Sequence, residues 1–255
     1  MSSYGLWLSA AGMKVQDHRQ AVFANNLANA NTTGFKQDLS MVTQREIESR
    51  TASDGFSFTH PVLDDLAGGL NVRPTYPNLA QGPIEWTGEP LDAAIQGRGF
   101  FAVSDGSVTR YTRDGQFTLN AAGEMVMAVG DGRWKVLDEA GSPITIDEAA
   151  GPVSISTDGS IRQGRALLTR LGLVDTQDVE GLRKIGANLF EATSAAMIPI
   201  EGRVVPQSRE ESNVDVMNGL VTMIEASRAY QLNANMLQLQ DQATGQAVST
   251  VGRLA

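Results

Sequence analysis

The chain has 255 residues, 42% of them hydrophobic and 19% charged, with a formal net charge of −9. That balance describes a chain able to bury a core, and it excludes an intrinsically disordered one. No Lys/Arg cluster supplies the basic stripe a nucleic-acid binder needs. The absence of cysteine excludes disulfides, thiolate metal sites and a cysteine nucleophile. No run of 18 apolar residues occurs, so no membrane insertion is expected. The opening stretch is interrupted by Ser2, Ser3, Ser9 and Gly12 and has no basic residue before Lys14, so no cleavable secretion signal is expected.

All nine prolines lie between Pro61 and Pro206. Proline breaks helix interiors, so its distribution predicts helical ends around a non-helical centre. At the N-terminal end (1–45), Leu8, Ala11, Val15, Val22 and Leu27 form a helical stripe, interrupted by His18. Asn25, Asn26, Asn29 and Asn31 follow, then Thr33-Gly34. Asn favours caps and left-handed turns over helix interiors, and Gly34 suits the position just past a helix end. The expectation is a helix-turn over about 4–33, with Phe35 folding back on the last turn.

Residues 46–80 read as a connector, Ser/Thr/Asp-rich and then bearing Pro61, Gly68-Gly69, Pro74 and Pro77. Residues 81–207 read as antiparallel β. Short apolar runs such as Phe100 to Val103, Val108 to Thr112, Phe117 to Leu119 and Met125 to Val129 alternate with Asp-Gly pairs at 105–106, 114–115 and 131–132, and again at 158–159. Asp-Gly provides the positive φ angles of tight hairpin turns.

The last segment, 208–255, carries a 3.5-residue repeat through Val216, Leu220, Met223, Ser227, Tyr230, Ala234 and Leu237, with Ser227 the one polar member. Such a repeat is the seam of a helix lying along another helix. Ser212 with Asp215 has capping-box spacing, which places the helix start at Ser212 or Asn213. The expected fold is therefore mixed, mainly β: a central antiparallel meander or barrel-like sandwich, flanked by terminal α-helices. A lone amphipathic helix is marginal in water. The two ends are expected to pair with each other as a coiled-coil-like unit.

No catalytic or metal-binding constellation emerges, so no enzyme activity and no cofactor are expected. His18 and His60 have no second histidine or spaced carboxylate to complete a metal site. Gly97-Arg98-Gly99 lacks the third glycine and following helix of a dinucleotide fingerprint and reads as a bulge or a close backbone approach at a strand start. The acidic neighbours Asp64-Asp65, Asp138-Glu139, Asp147-Glu148 and Glu210-Glu211 read as solvated turn acids. Asn31-Thr32-Thr33 matches a glycosylation sequon, a weak pattern.

Four stretches carry a resemblance. NNLANANTTGFK (25–36) resembles the N-terminal signature of the bacterial flagellar axial proteins, the rod and hook subunits. LDAAIQGRGFFAV (91–103) and RYTRDGQFTLNAAG (110–123) resemble central motifs of that family, and ESNVDVMNGLVTMIEASRAYQLN (211–233) its C-terminal one. The resemblance implies a structural rod subunit exported by the flagellar type III apparatus without a cleaved signal. It implies partners among other rod proteins and copies of the chain itself, in a helical tube spanning the periplasm and transmitting torque from motor to hook.

Asn25, Asn26, Leu27, Asn29, Gly34 and Phe35 match the N-terminal motif, and Ser212, Asn213, Val214, Arg228, Ala229 and Tyr230 the C-terminal one. The Asn side chains are expected to bond neighbouring subunits, with plain helix termination as the other reading. Leu27, Val216, Leu220, Met223, Tyr230 and Leu237 are the expected apolar interface. Leu66 to Gln81 lacks the Gly-x-Gly-Val tract of distal-rod relatives, and VVPQSREE (204–211) replaces their Gly-Leu-Glu stretch, which favours a proximal-rod subunit over a distal-rod or hook-like one. A reading of another class is a secreted glycan- or peptidoglycan-binding β module. It requires an exposed aromatic platform on the β domain, whereas Trp86 and Trp134 are expected in the core.

Overall fold

The computed structural model describes residues 2–44, 69–130 and 132–251. Connector residues 46–68, with His60, Asp54-Gly55 and Asp64-Asp65, lie outside the described residues, as does Asp131. The chain divides into two units, the first made of residues up to 27, 38–76 and 215 onward, the second of 28–37 and 77–214.

The first unit is built on α1 (Ser2–Ala28) and α2 (Val216–Val251), the two proline-free ends. The start of α2 falls later than the expected Ser212. Asp215 is the cap, its Oδ1 accepting the Asn218 N–H at 3.1 Å and its carbonyl the Gly219 N–H at 2.9 Å. The Ser212 hydroxyl instead accepts from Val214 N in the extended segment ahead of the helix. The helices approach where α1 has no side chain: a Cβ at Gly5 would lie 2.9 Å from the Gln240 amide, and one at Gly12 2.9 Å from Asn233 Oδ1. Two contacts seven residues apart in opposite directions make the helices antiparallel there.

The face α2 turns inward coincides only in part with the expected seam, whose Met223, Ser227, Ala234 and Leu237 are half-buried. Ala226 is buried and Gly219, Thr222, Ala229, Asn233 and Gln240 are half-buried, whereas Val216, Leu220 and Tyr230 are exposed. On α1, Val15 and Val22 are buried as the stripe predicts, Ser9 and Asn26 join them, and Leu8 is exposed. Small and polar residues share the inward positions with Val15, Val22, Met223 and Leu237, and Gly5 and Gly12 let the two helices approach closely. A short antiparallel ribbon, Val42–Gln44 with Leu70–Val72, and the strand Asp38–Leu39 also belong to this unit.

The second unit is antiparallel β. Its largest sheet follows the path Leu182–Gly186, Leu189–Ala192, Thr109–Thr112, Phe100–Ser104, Lys135–Val136, Met125–Met127, Phe117–Leu119. Leu173–Asp175 branches from Phe100–Ser104 and pairs onward with Ile198–Pro199. Among the described residues the path stays open, so of the expected meander or barrel-like sandwich the antiparallel β character is found and a closed barrel is not. Beside it lie a three-stranded sheet (Val153–Ile155, Ser160–Gln163, Ala166–Arg170) and two ribbons, Ala93–Gln96 with Arg203–Pro206 and Ile84–Trp86 with Ser208–Glu210. The core gathers alternate residues of these strands, among them Ile95, Phe101, Val103, Phe117, Met125 and Ile161, with Phe101 edge-on to Phe117 at 5.2 Å. Trp134 packs partly buried against this core, but Trp86 is 72% exposed, contrary to expectation.

Asp-Gly turns behave as expected at Gly106 (φ +94°) and Gly159 (φ +78°). Asp114-Gly115 does not, since Thr109–Thr112 and Phe117–Leu119 lie far apart along the sheet path. Gly115 is needed for space: a Cβ there would sit 1.6 Å from the Ala93 carbonyl oxygen, while its own carbonyl accepts the Ala93 N–H at 3.0 Å. Gly115→Ala is therefore expected to cost more than about 3 kcal/mol, since two backbones must separate. Gly219→Ala, in helix α2 with open space around its Cβ position, is expected to gain up to about 1 kcal/mol. Urea unfolding of both variants checks the contrast, and equal effects would overturn this account.

Candidate functional site: a buried carboxylate junction

Within the second unit, segments from the beginning, middle and end of the chain converge on Glu210. Its side chain is 0% exposed, as is that of Lys36, and Arg113 is 3% exposed. Glu210 Oε1 accepts from Lys36 Nζ at 2.5 Å and from Gly82 N at 2.8 Å, and Oε2 from Arg113 Nη1 at 3.2 Å. Lys36 Nζ also donates to the Ala80 carbonyl at 2.8 Å. The Arg113 guanidinium lies 5.4 Å above the Phe100 ring. Burial pulls both cations below their ordinary pKa, the Glu210 charge pulling the other way. Opposite charges are removed from water together because neither could be removed alone.

The surrounding backbone is held by side chains of the same motifs. Gly34 donates its N–H to the Glu210 carbonyl at 2.7 Å. It has φ +66°, and a Cβ would meet Asp114 N at 2.4 Å, so its glycine serves this docking contact and not the helix C-terminus. Phe35 is buried under the Lys184 ammonium, 3.9 Å from the ring centroid, and Lys184 donates to the Lys36 carbonyl. The Asn213 amide accepts from Gln37 N at 2.7 Å and donates to the Asn78 and Ala80 carbonyls, each at 2.8 Å. Asn188 donates to the Thr33 carbonyl at 2.6 Å, and Thr33 to Gln116 Oε1 at 3.1 Å.

In the first unit, Asn26 forms a two-point pair with residue 38: its Nδ2 donates to the Asp38 carbonyl and its Oδ1 accepts the Asp38 N–H, both at 2.8 Å. Its amide therefore substitutes for a strand partner and closes the intervening loop. Of the remaining sequence-predicted residues, Ser212 is buried, while Leu27, Asn29, Val214, Met223, Ala229 and Leu237 are half-buried. Asn25, Val216, Leu220, Arg228 and Tyr230 are exposed. Sequence reading brought out Gly34, Phe35 and Asn213 but missed Lys36, Arg113 and Glu210. Each lies in or beside a motif, yet a charged residue in a polar-rich stretch carries no sign of burial.

Among the described residues no cluster of His, Cys, Asp or Glu could hold a metal ion, and no helix is long and apolar enough to cross a membrane. Asp114, next to Arg113, is 1% exposed, and its Oδ2 has no hydrogen-bond partner. Burial raises its pKa from 3.8 to about 6, with Asp92 adding to the rise and the Gln116 N–H, Asn188 and Arg209 opposing it.

Two outcomes are expected. Glu210→Gln leaves two buried cations without their anion and should lower the unfolding free energy by about 3–5 kcal/mol, read by urea titration. A loss below about 1 kcal/mol would show that the charge is immaterial. For Asp114 the folded chain holds the proton more tightly than the unfolded chain. Its contribution is therefore complete below about pH 4 and lost as pH rises through about 6, a change on the order of 3 kcal/mol. Asp114→Asn should remove that slope and be more stable than the parent at pH 8. Parallel stability-against-pH curves would refute the assignment.

The comparisons fall on the segments that form this junction. Residues 8–36 match the family described as flagella basal body rod protein, residues 94–163 the flagellar hook protein FlgE/F/G D1 domain, and residues 206–250 the flagellar basal body rod FlgEFG protein C-terminal family. The chain is 37% identical to the flagellar basal-body rod protein FlgF of Caulobacter vibrioides over 235 residues, 91% of each chain. It is 33% identical to FlgG of Buchnera aphidicola subsp. Acyrthosiphon pisum, over 93% of this chain and 95% of that one. It is 32% identical to FlgG of Bacillus subtilis, over 96% and 97% respectively. With relatives so similar along almost their whole length, the chain belongs to the flagellar basal-body rod protein family.

Proposed function

We propose that this chain is a proximal-rod subunit: a structural element that polymerises with copies of itself and with other rod proteins into a helical tube carrying torque from motor to hook. The observation that carries the reading is the exposed apolar face of α2. Most of its large apolar side chains face outward, Met217 at 73% and Leu232 at 66% exposed, with Val221, Ile224, Met236 and Leu239 also exposed. A helix that keeps its best burial for the outside needs neighbours to cover it. Repeated contacts that do not close into a ring produce a filament.

On this reading α1 and α2 pair as a coiled-coil-like unit, and Val216, Leu220 and Tyr230 act in contacts between subunits, joined by Met223 and Leu237 at the flank of the seam. Asn25 and Asn29 contact neighbouring subunits, whereas Asn26, Gly34, Phe35, Ser212 and Asn213 act by shaping the chain that presents those surfaces. The proximal position is favoured because the chain is 37% identical to the FlgF of Caulobacter vibrioides and 32% identical to the FlgG of the same organism. Export proceeds through the flagellar type III apparatus without cleavage, to a periplasmic rod.

Quantitative mass spectrometry of purified basal bodies tests the assignment. Presence at fewer copies than the distal-rod protein is expected, with the N-terminal peptide intact. Absence would sink the rod reading, and parity with the distal-rod protein would move the chain to the distal rod. Leu232→Glu with Leu239→Glu should abolish rod incorporation and motility while changing monomer stability by no more than about 0.5 kcal/mol. Normal motility in that double variant would refute the role of the exposed apolar face.

A further inference from the structure

A second surface, on the β unit, points to a contact of its own. Strand Phe100–Ser104 pairs at its start with Leu173–Asp175 and at its end with Lys135–Val136. Where these partners part, three backbones close a triangle: Ala102 N donates to Gly172 O at 3.0 Å, Gly172 N to Leu137 O at 2.9 Å, and Leu137 N to Ala102 O at 2.9 Å. At this triangle opens a pocket of about 410 Å³, lined by Ala102, Leu137 and Gly172 and by the apolar side chains of Tyr111 and Met197. Asp138, Glu139 and Glu201 also line it; the Asp138 carboxylate accepts from Ala140 N, Ser142 N and Thr169 Oγ1, and Glu139 pairs with Arg170 at 3.4 Å. Glu201 is exposed and, among the described residues, has no ion-pair partner.

The same unit exposes a feature of opposite character. The hairpin joining Ser160–Gln163 to Ala166–Arg170 turns at Gly164 (φ +59°) and presents Arg162, Arg165 and Leu167, the last 60% exposed. Neither arginine has an ion-pair partner among the described residues, and both are exposed. We infer that this hairpin tip inserts into the acid-lined pocket of a second copy of the chain, its arginines at the carboxylates and Leu167 against the apolar side chains.

Charge selects that occupant, and the fold forbids the intramolecular alternative. From Ala166 the chain runs extended through Arg170 to Gly172 at the pocket, so tip and pocket lie at opposite ends of one run roughly 20 Å long. A protrusion at one end and its receptor at the other make a head-to-tail contact, the kind that propagates instead of closing as a two-fold pair. The contact rests on the reading of this chain as a self-assembling rod subunit, but it uses the β unit and none of the helical face.

The test exploits the absence of cysteine from the chain. A strain expressing both Arg165→Cys and Glu201→Cys chains is grown, its basal bodies are isolated and oxidised, and the chain is detected by immunoblot. A disulfide-linked dimer from the mixed strain, and from neither single variant alone, is the expected result. Arg162→Glu with Arg165→Glu should reduce recovery of the chain in basal bodies about tenfold, and adding Glu139→Arg with Glu201→Arg should restore it. Chain present in the basal bodies without the dimer would overturn this contact while leaving the rod reading intact. A product joining Arg165→Cys to a different rod protein would overturn it equally. Absence of the parent chain from basal bodies would remove the rod reading and this contact together.

Discussion

A carboxylate sealed from water must be neutralised where it stands, and the second unit is organised around that requirement. Glu210 is answered by Lys36 and Arg113, residues drawn from segments 174 and 97 positions away. None of the three can be buried before the others arrive, because an unpaired charge in an apolar surrounding costs several kcal/mol. The cluster therefore couples the segment following α1, the centre of the β unit and the segment preceding α2 into one cooperative event. Hydrophobic burial supplies the driving force for folding; the ion cluster specifies which three segments meet.

This coupling explains why the most recognisable residues of the chain are not all surface residues. Asn213 ties Gln37, Asn78 and Ala80 together through backbone bonds, and Gly34 is glycine because Asp114 N occupies the space of a Cβ. Asn26 spends both amide atoms on residue 38. A polar side chain that satisfies backbone groups in a loop is hard to replace, since the loop has no ladder to satisfy them otherwise. Motif character thus arises here from internal backbone accounting as much as from contacts with partners.

The architecture was legible wherever a single local rule governs. Proline's exclusion from helix interiors located α1 and α2, and the positive φ of glycine located the turns at Gly106 and Gly159. Legibility failed where two rules compete or where a distant partner decides. Asp114-Gly115 has the composition of a hairpin turn, but its glycine answers to the Ala93 carbonyl across the unit. Ser212 has capping spacing, yet Asp215 caps α2 from three residues further on. The open sheet instead of a barrel depends on strand order, which alternating patterns do not encode. Burial of Lys36, Arg113 and Glu210 was invisible because charged side chains read as solvated unless their partners are known.

The heptad in α2 coincides with the inward face only in part, Met223, Ser227, Ala234 and Leu237 being half-buried and Val216, Leu220 and Tyr230 exposed, for an instructive reason. Periodicity identifies the apolar face but not what covers it. The usual inference gives the larger side chains to the intramolecular partner, because a folded monomer gains most by burying them. Here α1 takes the smaller row, with Gly5 and Gly12 leaving notches beside Gln240 and Asn233. The large side chains left outside are the part of α2 whose burial the chain itself does not supply. On the proposed reading the subunit is built around its neighbours, and assembly is the state in which those side chains are buried.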